Sequence, residues 1–502
     1  MIKSAFRCLT VLLSLMLFHS GNVWSLNAPK REFRGAWIQA VNHQFEGIPT
    51  AELKRTLTEQ LDSLSACGIN TILFQVRVEG DALYKSELEP WSGYLSGRQG
   101  VAPDEDWDPL QFMVTLCHER GMELHAWINP YRARTASTPR LDPMHQLAQH
   151  PERFIRYGEL TFFNPALREN RDWICSVARD IVSRYDVDGF HIDDYFYPYP
   201  ISGQTFPDEA DFRRDPRGFA SKDDWRRDNV SLLVEQLYKT VKEEKPWVKF
   251  GISPFGIYRN ATSRYPDGSR TNGLENYSEL YADVLYWMDR GWMDYCIPQV
   301  YWNVGTKVAD YEVLVNWWAD KADKCPMYIG QDVERTVKGY DPSDSSVHQQ
   351  RLKIDLQRER GELMGSCHWP AKSVVNNPGN YRLILGQEYY KYPALQPLCP
   401  GVPNIEPGKV RKVREVITSD GPVIFWTPPI SHSEADKACK YVVYRFRAWE
   451  PVDTDDPSHI VDITENTFYL LENPDESYVY AITALTRVQA ESKYVRFRVK
   501  SY

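Results

Sequence analysis

Two adjacent carboxylates, Asp193 and Asp194, close the apolar and polar alternation within DVDGFHIDDYFYPYP, which extends from Asp186 to Pro200. Paired carboxylates suit acid–base and charge-stabilising work, and glycosidic bond cleavage is the reaction that calls for two of them. One carboxylic acid protonates the leaving oxygen, and a second carboxylate on the opposite side attacks or stabilises an oxocarbenium-like centre. Phe190 and Ile192 are apolar while His191 and Asp193 are polar, the two-residue alternation of a strand with one packed face. That parity aims Asp193 into an interior and makes it the first candidate for nucleophile or charge-stabilising carboxylate. Asp194, one residue on, is expected to point away unless the strand has already ended, with acceptance of loop N–H groups as its structural alternative.

The partner acid has four candidates. Glu79 and Asp81 sit in RVEGDALY, where Gly80 permits a tight turn that could swing Asp81 over a cleft; Asp332 and Glu334 follow a later strand. Residue type leaves the four equal. Arg77 and Arg132 could orient carboxylates or bind acidic sugar substituents, and a structural ion pair is an equal alternative for each. Asn129, His191 and Gln299 are neutral groups suited to hydroxyls, and Tyr195, Tyr197, Tyr301, Trp302 and Trp369 are candidate stacking faces. There is no G-x-S-x-G elbow, P-loop, Gly-rich dinucleotide turn, HExxH or CxxC, so no cofactor and no metal are expected.

These residues need a scaffold, and the chain repeats one. From Arg34 to about Pro370, short strands ending in polar or aromatic residues alternate with amphipathic helices. The expected strands are Arg34–Gln39, Thr71–Arg77, Glu123–Asn129, Gly189–Tyr195, Lys249–Phe255, Tyr295–Tyr301, Met327–Asp332 and Gly365–Trp369. The expected helices include Thr50–Cys67, Leu110–Arg120, Arg168–Tyr185, Asp224–Glu244, Ser278–Arg290, Val308–Ala322 and Ser346–Arg360. Eight such units predict an α/β fold, a (β/α)8 TIM barrel, with its site at the C-terminal strand ends.

At 502 residues the chain exceeds one core. Residues 1–25 carry Lys3, Arg7 and an apolar run, Leu9 to Phe18, too short to span a bilayer. That predicts a signal peptide and a periplasmic or extracellular protein without stable membrane insertion. Residues 26–401 then form the barrel, 402–408 a Pro- and Gly-rich linker, and 409–502 a small all-β sandwich. A net charge of -9 argues against a nucleic-acid surface. Nothing identifies a protein partner. The eight cysteines after residue 25 are scattered, and Cys67, Cys117 and Cys175 read as buried free thiols.

Six ordered blocks, RGAWIQ, QVRVEGDALYKS, HAWINPYR, DGFHIDDYFYP, GISPFGIYRN and IPQVYW, resemble the glycosyl-hydrolase-like family 10 proteins over roughly Arg31 to Tyr389. The resemblance implies an exported glycoside hydrolase on a (β/α)8 barrel acting on a polysaccharide or oligosaccharide. A divisome-associated member is a peptidoglycan glycosidase that cleaves glycan strands stripped of their peptides. HID at His191 to Asp193 is also similar to the fourth-strand nucleophile segment of α-amylase-like barrels, with His in place of Arg, and Asp81 stands at the family's pattern position. The tail, with FWTPP, YVVYRF and YVYAITALTRVQAES, resembles a fibronectin type III module in which Trp426 and its tyrosines are core. The alternative expectation is a glycan-binding protein that keeps the barrel without catalysis.

Overall fold

The computed structural model describes residues 28–499, apart from 137, 139, 420 and 472–476. The expected signal peptide therefore lies outside the described residues. Eight strands, β1 (Phe33–Ile38), β2 (Thr71–Arg77), β3 (Glu123–Ile128), β4 (Gly189–Ile192), β5 (Lys249–Ile252), β6 (Tyr295–Cys296), β7 (Met327–Asp332) and β8 (Leu363–Trp369), close in chain order into a barrel. Every neighbouring pair is parallel, including β8 with β1. The first helix, Thr50–Ala66, buries Leu53, Leu57, Leu61 and Leu64, one stripe at helical spacing. Asp108 caps the next, Pro109–Glu119, by accepting from the N–H groups of Leu110 and Gln111.

Several expected elements are shorter than their apolar patterns. β5 ends before Pro254 and β6 before Pro298, because proline has no N–H for the ladder; beyond them isolated bridges join Gln299 to Phe255 and Gly330. β4 stops at Ile192 rather than Tyr195. The helix expected over Ser278–Arg290 is two pieces, Asn276–Glu279 and Val284–Asp289, with Tyr281 between them at a φ of 55°.

The barrel interior is packed in layers. At the floor, Glu123 accepts from Lys249 Nζ at 2.8 Å and lies 3.1 Å from His125 Nε2. Above it Phe33 stacks on Tyr328 with ring centres 4.1 Å apart. A Cβ added to Gly251 would meet Tyr295 Cζ at 1.8 Å, so this layer closes only because β5 has no side chain there. Gly251→Ala is expected to cost about 1–3 kcal/mol through overpacking, read as a lowered denaturant midpoint with an unchanged slope.

The C-terminal region forms two antiparallel sheets, Arg411–Thr418 with Gly421–Thr427 and Phe468–Leu470, and Ile460–Thr464 with Ala438–Arg447, Tyr478–Thr486 and Val495–Arg498. It seats under the barrel floor. Gln489 Nε2 donates to Glu123 Oε1 at 3.1 Å, Lys440 Nζ to the Gly121 carbonyl at 3.1 Å, and Arg487 pairs with Asp186. The C-terminal strand ends lie at the other end of the barrel and stay open. All eight described cysteines are free, and all except Cys439 are buried.

Candidate active site

The ladder ends at Ile192, so strict alternation ends with it and both following carboxylates turn into one cavity. Asp194 therefore faces the cavity, correcting the expectation that it points away. Its Oδ1 accepts from Gln299 Nε2 at 3.1 Å and its Oδ2 from the Tyr199 hydroxyl. Asp193 accepts from Trp127 Nε1 at 3.1 Å, and more loosely from Asn129 Nδ2 and the Tyr195 N–H, both at 3.4 Å. Asn129 is itself fixed, because its Oδ1 accepts from the Arg132 N–H at 3.0 Å.

His191 lies below the pair, fully buried, with Nε2 2.9 Å from Ser253 Oγ and Nδ1 3.1 Å from the Tyr295 hydroxyl. Burial pushes its pKa well down, so the ring is neutral, and it is not among the residues that line the cavity.

The cavity, about 330 Å³, has Trp37, Trp127 and Trp369 among its lining residues. Trp369 meets the other two edge to face, with ring centres 6.5 and 6.0 Å apart. Tyr195, Tyr301, Trp302 and Phe255 add aromatic wall, and Arg132 and Arg335 bring positive charge. The Arg132 guanidinium lies 4.3 Å from the centre of the Tyr195 ring, with no ion pair among the described residues.

Burial, and after it the charge of Asp194, push Asp193 up to about 7, with Arg132 opposing; burial also raises Asp194. Two adjacent carboxyls whose charges act on one another titrate as a unit, and the upward shifts keep a proton on the pair at higher pH than an ordinary aspartate would hold one. A reaction that needs that proton loses rate as pH rises through about 7, where the pair becomes doubly ionised. The expected profile of kcat/KM falls above neutrality as that proton is lost and falls again in acid as the remaining carboxylate is protonated; a rise across the upper limb would contradict this protonation state.

The other expected residues lie elsewhere. Gln75 pairs with Trp127, which faces the lumen, but a bulge brings Arg77 opposite Ile128, which packs outward. Arg77 is thereby turned off the lumen into a fully buried pair with Glu89 at 2.7 Å. Glu79 accepts from Tyr94 and Thr138 hydroxyls at 2.7 and 2.6 Å. Asp81 is held inside the same loop by the Glu79 N–H at 3.1 Å and Gln99 Nε2 at 3.2 Å, so the Gly80 turn directs it inward and not over the mouth. Asp332 caps the helix Val333–Lys338 by accepting from the Arg335 N–H at 2.8 Å, and Glu334 accepts from Ser373 Oγ. Tyr197 is buried behind the wall, where Asn229 donates to its hydroxyl. Among the described residues, Asp193 and Asp194 are the carboxylates that line the cavity.

Sequence reasoning did not single out Trp37, Gln75, Trp127, Tyr199, Ser253 or Arg335 as site residues, yet all line the cavity. Trp127 and Gln75 share the lumen parity of their strands, and Tyr199 belongs to the aromatic run after Asp194, so pattern could have found these three. Nothing around Arg335 distinguishes it from an ordinary helical arginine.

A parallel eight-stranded barrel with a buried carboxylate pair and aromatic walls at the C-terminal strand ends is a framework that glycoside hydrolases use. Residues 32–343 match the model of the family described as Glycosyl hydrolase-like 10, and the chain belongs to that family. It is 36% identical over 479 residues to "Glycosyl hydrolase YngK" of Bacillus subtilis (strain 168), covering 92% of each chain. With "Glycosyl hydrolase DigH" of Escherichia coli (strain K12) it shares 40% identity over 321 residues, 59% of this chain and 72% of that one. The solved PgaB (BpsB) glycoside hydrolase domain from Bordetella bronchiseptica aligns over 71% of this chain and 98% of its own, at 13% identity and a TM-score of 0.46. The protein is a glycoside hydrolase.

Proposed function

We propose that this hydrolase is exported and cleaves glycosidic bonds within a bacterial polysaccharide, with the glycan strands of peptidoglycan as its substrate. The observation that carries the reading is the Asp193–Asp194 pair, two adjacent buried carboxyls that line one aromatic cavity. The protonated member donates to the leaving oxygen, and the ionised member offsets the positive charge that grows at the anomeric carbon. Trp302, Tyr195 and Tyr301 offer faces for the sugar rings. Arg132, in the same cavity and without an ion pair among the described residues, suits an acidic substituent such as the lactyl carboxylate of a muramic acid residue. Export rests on the charged and apolar order of residues 1–25.

The tail is read as a fibronectin type III-like sandwich over 409–502. Its contacts with the barrel floor at Glu123, Gly121 and Asp186 give it a bracing role remote from the chemistry.

Purified protein incubated with peptide-free glycan strands, intact peptidoglycan and unrelated polysaccharides, with products read by mass spectrometry, tests the assignment. Shortened oligosaccharides are expected from the peptide-free strands. Cleavage confined to the unrelated polysaccharides would overturn the substrate, and binding without cleavage of any of them would make the protein a glycan-binding module.

A further inference from the structure

Hydrolysis by two carboxylates on opposite sides of the sugar ring needs an acid facing the pair across the cavity. Asp332 and Glu334 are occupied at a helix start, Glu79 and Asp81 are folded into their own loop, and no other described carboxylate lines the cavity. The same cavity carries other chemistry beside the pair. Tyr301 lines it, and its hydroxyl makes no hydrogen bond among the described residues. Trp37, Trp127 and Trp369, packed edge to face, give it an apolar wall next to Asp193.

We propose that the missing nucleophile is supplied by the substrate, as the 2-acetamido group of the sugar held over Asp193 and Asp194. The proposal rests on the glycoside hydrolase reading above and deepens it. The acetamide methyl packs among the three tryptophans, its N–H donates to the ionised member of the carboxylate pair, and its carbonyl oxygen accepts from the Tyr301 hydroxyl. An amide positioned this way is an acceptor, an apolar group and a donor in one rigid plane, and the cavity offers a donor, an apolar surface and an acceptor.

In the first step the carbonyl oxygen forms a bond to the anomeric carbon as the glycosidic C–O bond breaks. The bonding pair leaves on the glycosidic oxygen, which takes the proton carried by the other carboxyl. The result is a bicyclic oxazolinium ion whose N–H and positive charge face the remaining carboxylate. In the second step water attacks the anomeric carbon and passes its proton to the carboxylate that had acted as acid. The bond to the amide oxygen breaks, the acetamide is restored, and the pair again holds one proton. Two displacements at one carbon leave the anomeric configuration retained.

The experiment uses the full chain and peptide-free glycan strands that have been chemically N-deacetylated and then re-acylated with acetyl or trifluoroacetyl groups. Acetyl-restored strands are expected to be cleaved like untreated ones. Trifluoroacetyl strands are expected to be cleaved on the order of 100-fold more slowly, with binding little changed, because fluorine withdraws electrons from the positioned internal nucleophile. The first-formed reducing end, read by NMR before mutarotation, should retain configuration. Equal rates for the two acyl groups, or an inverted product, would overturn the inference while leaving the hydrolase reading intact. If neither untreated nor acetyl-restored strands are cleaved, the substrate assignment falls and this inference falls with it.

Discussion

Asp193→Asn is expected to lower kcat on peptide-free glycan strands by roughly 10²–10⁴-fold, the range that a positioned proton donor or acceptor supplies. The substitution keeps the side-chain shape and one oxygen to accept from Trp127 Nε1, so the fold and glycan binding should persist. Asp194→Asn should fall in the same range, since Asp194 lines the same cavity and its charge raises its neighbour. Because the two act as one unit, the double variant should be little slower than either single one. Steady-state rates on the three variants, with thermal melts as a control for folding, check this. Near-normal turnover in either single variant would remove that carboxyl from the mechanism.

The largest effect on stability is expected at a pair remote from the chemistry. Arg77 donates to Glu89 from Nε and Nη2 at 2.7 and 2.8 Å, and both side chains are essentially without solvent exposure. Trp173 Nε1 also donates to Glu89 at 3.1 Å, while Arg77 Nη1 serves the carbonyls of Asn129 and Pro130. Glu89→Ala strands a buried guanidinium and should destabilise the protein by about 3–5 kcal/mol. Replacing both partners, Arg77→Met with Glu89→Leu, removes the charge as well and should recover much of that loss. Urea unfolding of the single and double variants measures the difference. A single variant within 1 kcal/mol or so of wild type would mean that the pair contributes little beyond packing. Since Arg77 holds the carbonyl of Asn129, whose side chain reaches Asp193, the same variants should also show whether site geometry follows barrel stability.

The barrel could be read from period alone. Leu53, Leu57, Leu61 and Leu64 mark one helical stripe, and the alternation through His191 and Asp193 marks a lumen face in the sequence itself. What periodicity does not carry is where a strand stops obeying it. The bulge between Gln75 and Arg77 adds a residue without a composition signal, and it alone converts Arg77 from a lumen group into the partner of Glu89. The end of β4 at Ile192 works the other way, bringing Asp194 into the cavity that alternation would have denied it. Pro254 and Pro298, by contrast, were visible terminators that the apolar runs obscured. Asp81 shows a different limit. Gly80 signals a tight turn, but the direction of that turn depends on Gln99, which accompanies it only in the folded loop.

On the proposed function, Asp193 and Asp194 form a working acid–carboxylate pair. The most direct test follows new reducing ends on peptide-free glycan strands with the wild type and Asp193→Asn side by side, alongside the amount of each protein bound to the same strands. Steady release by the wild type, release at the detection limit by the variant, and equal binding by both are expected. Equal release by the two proteins, or binding by the wild type without release, would contradict it.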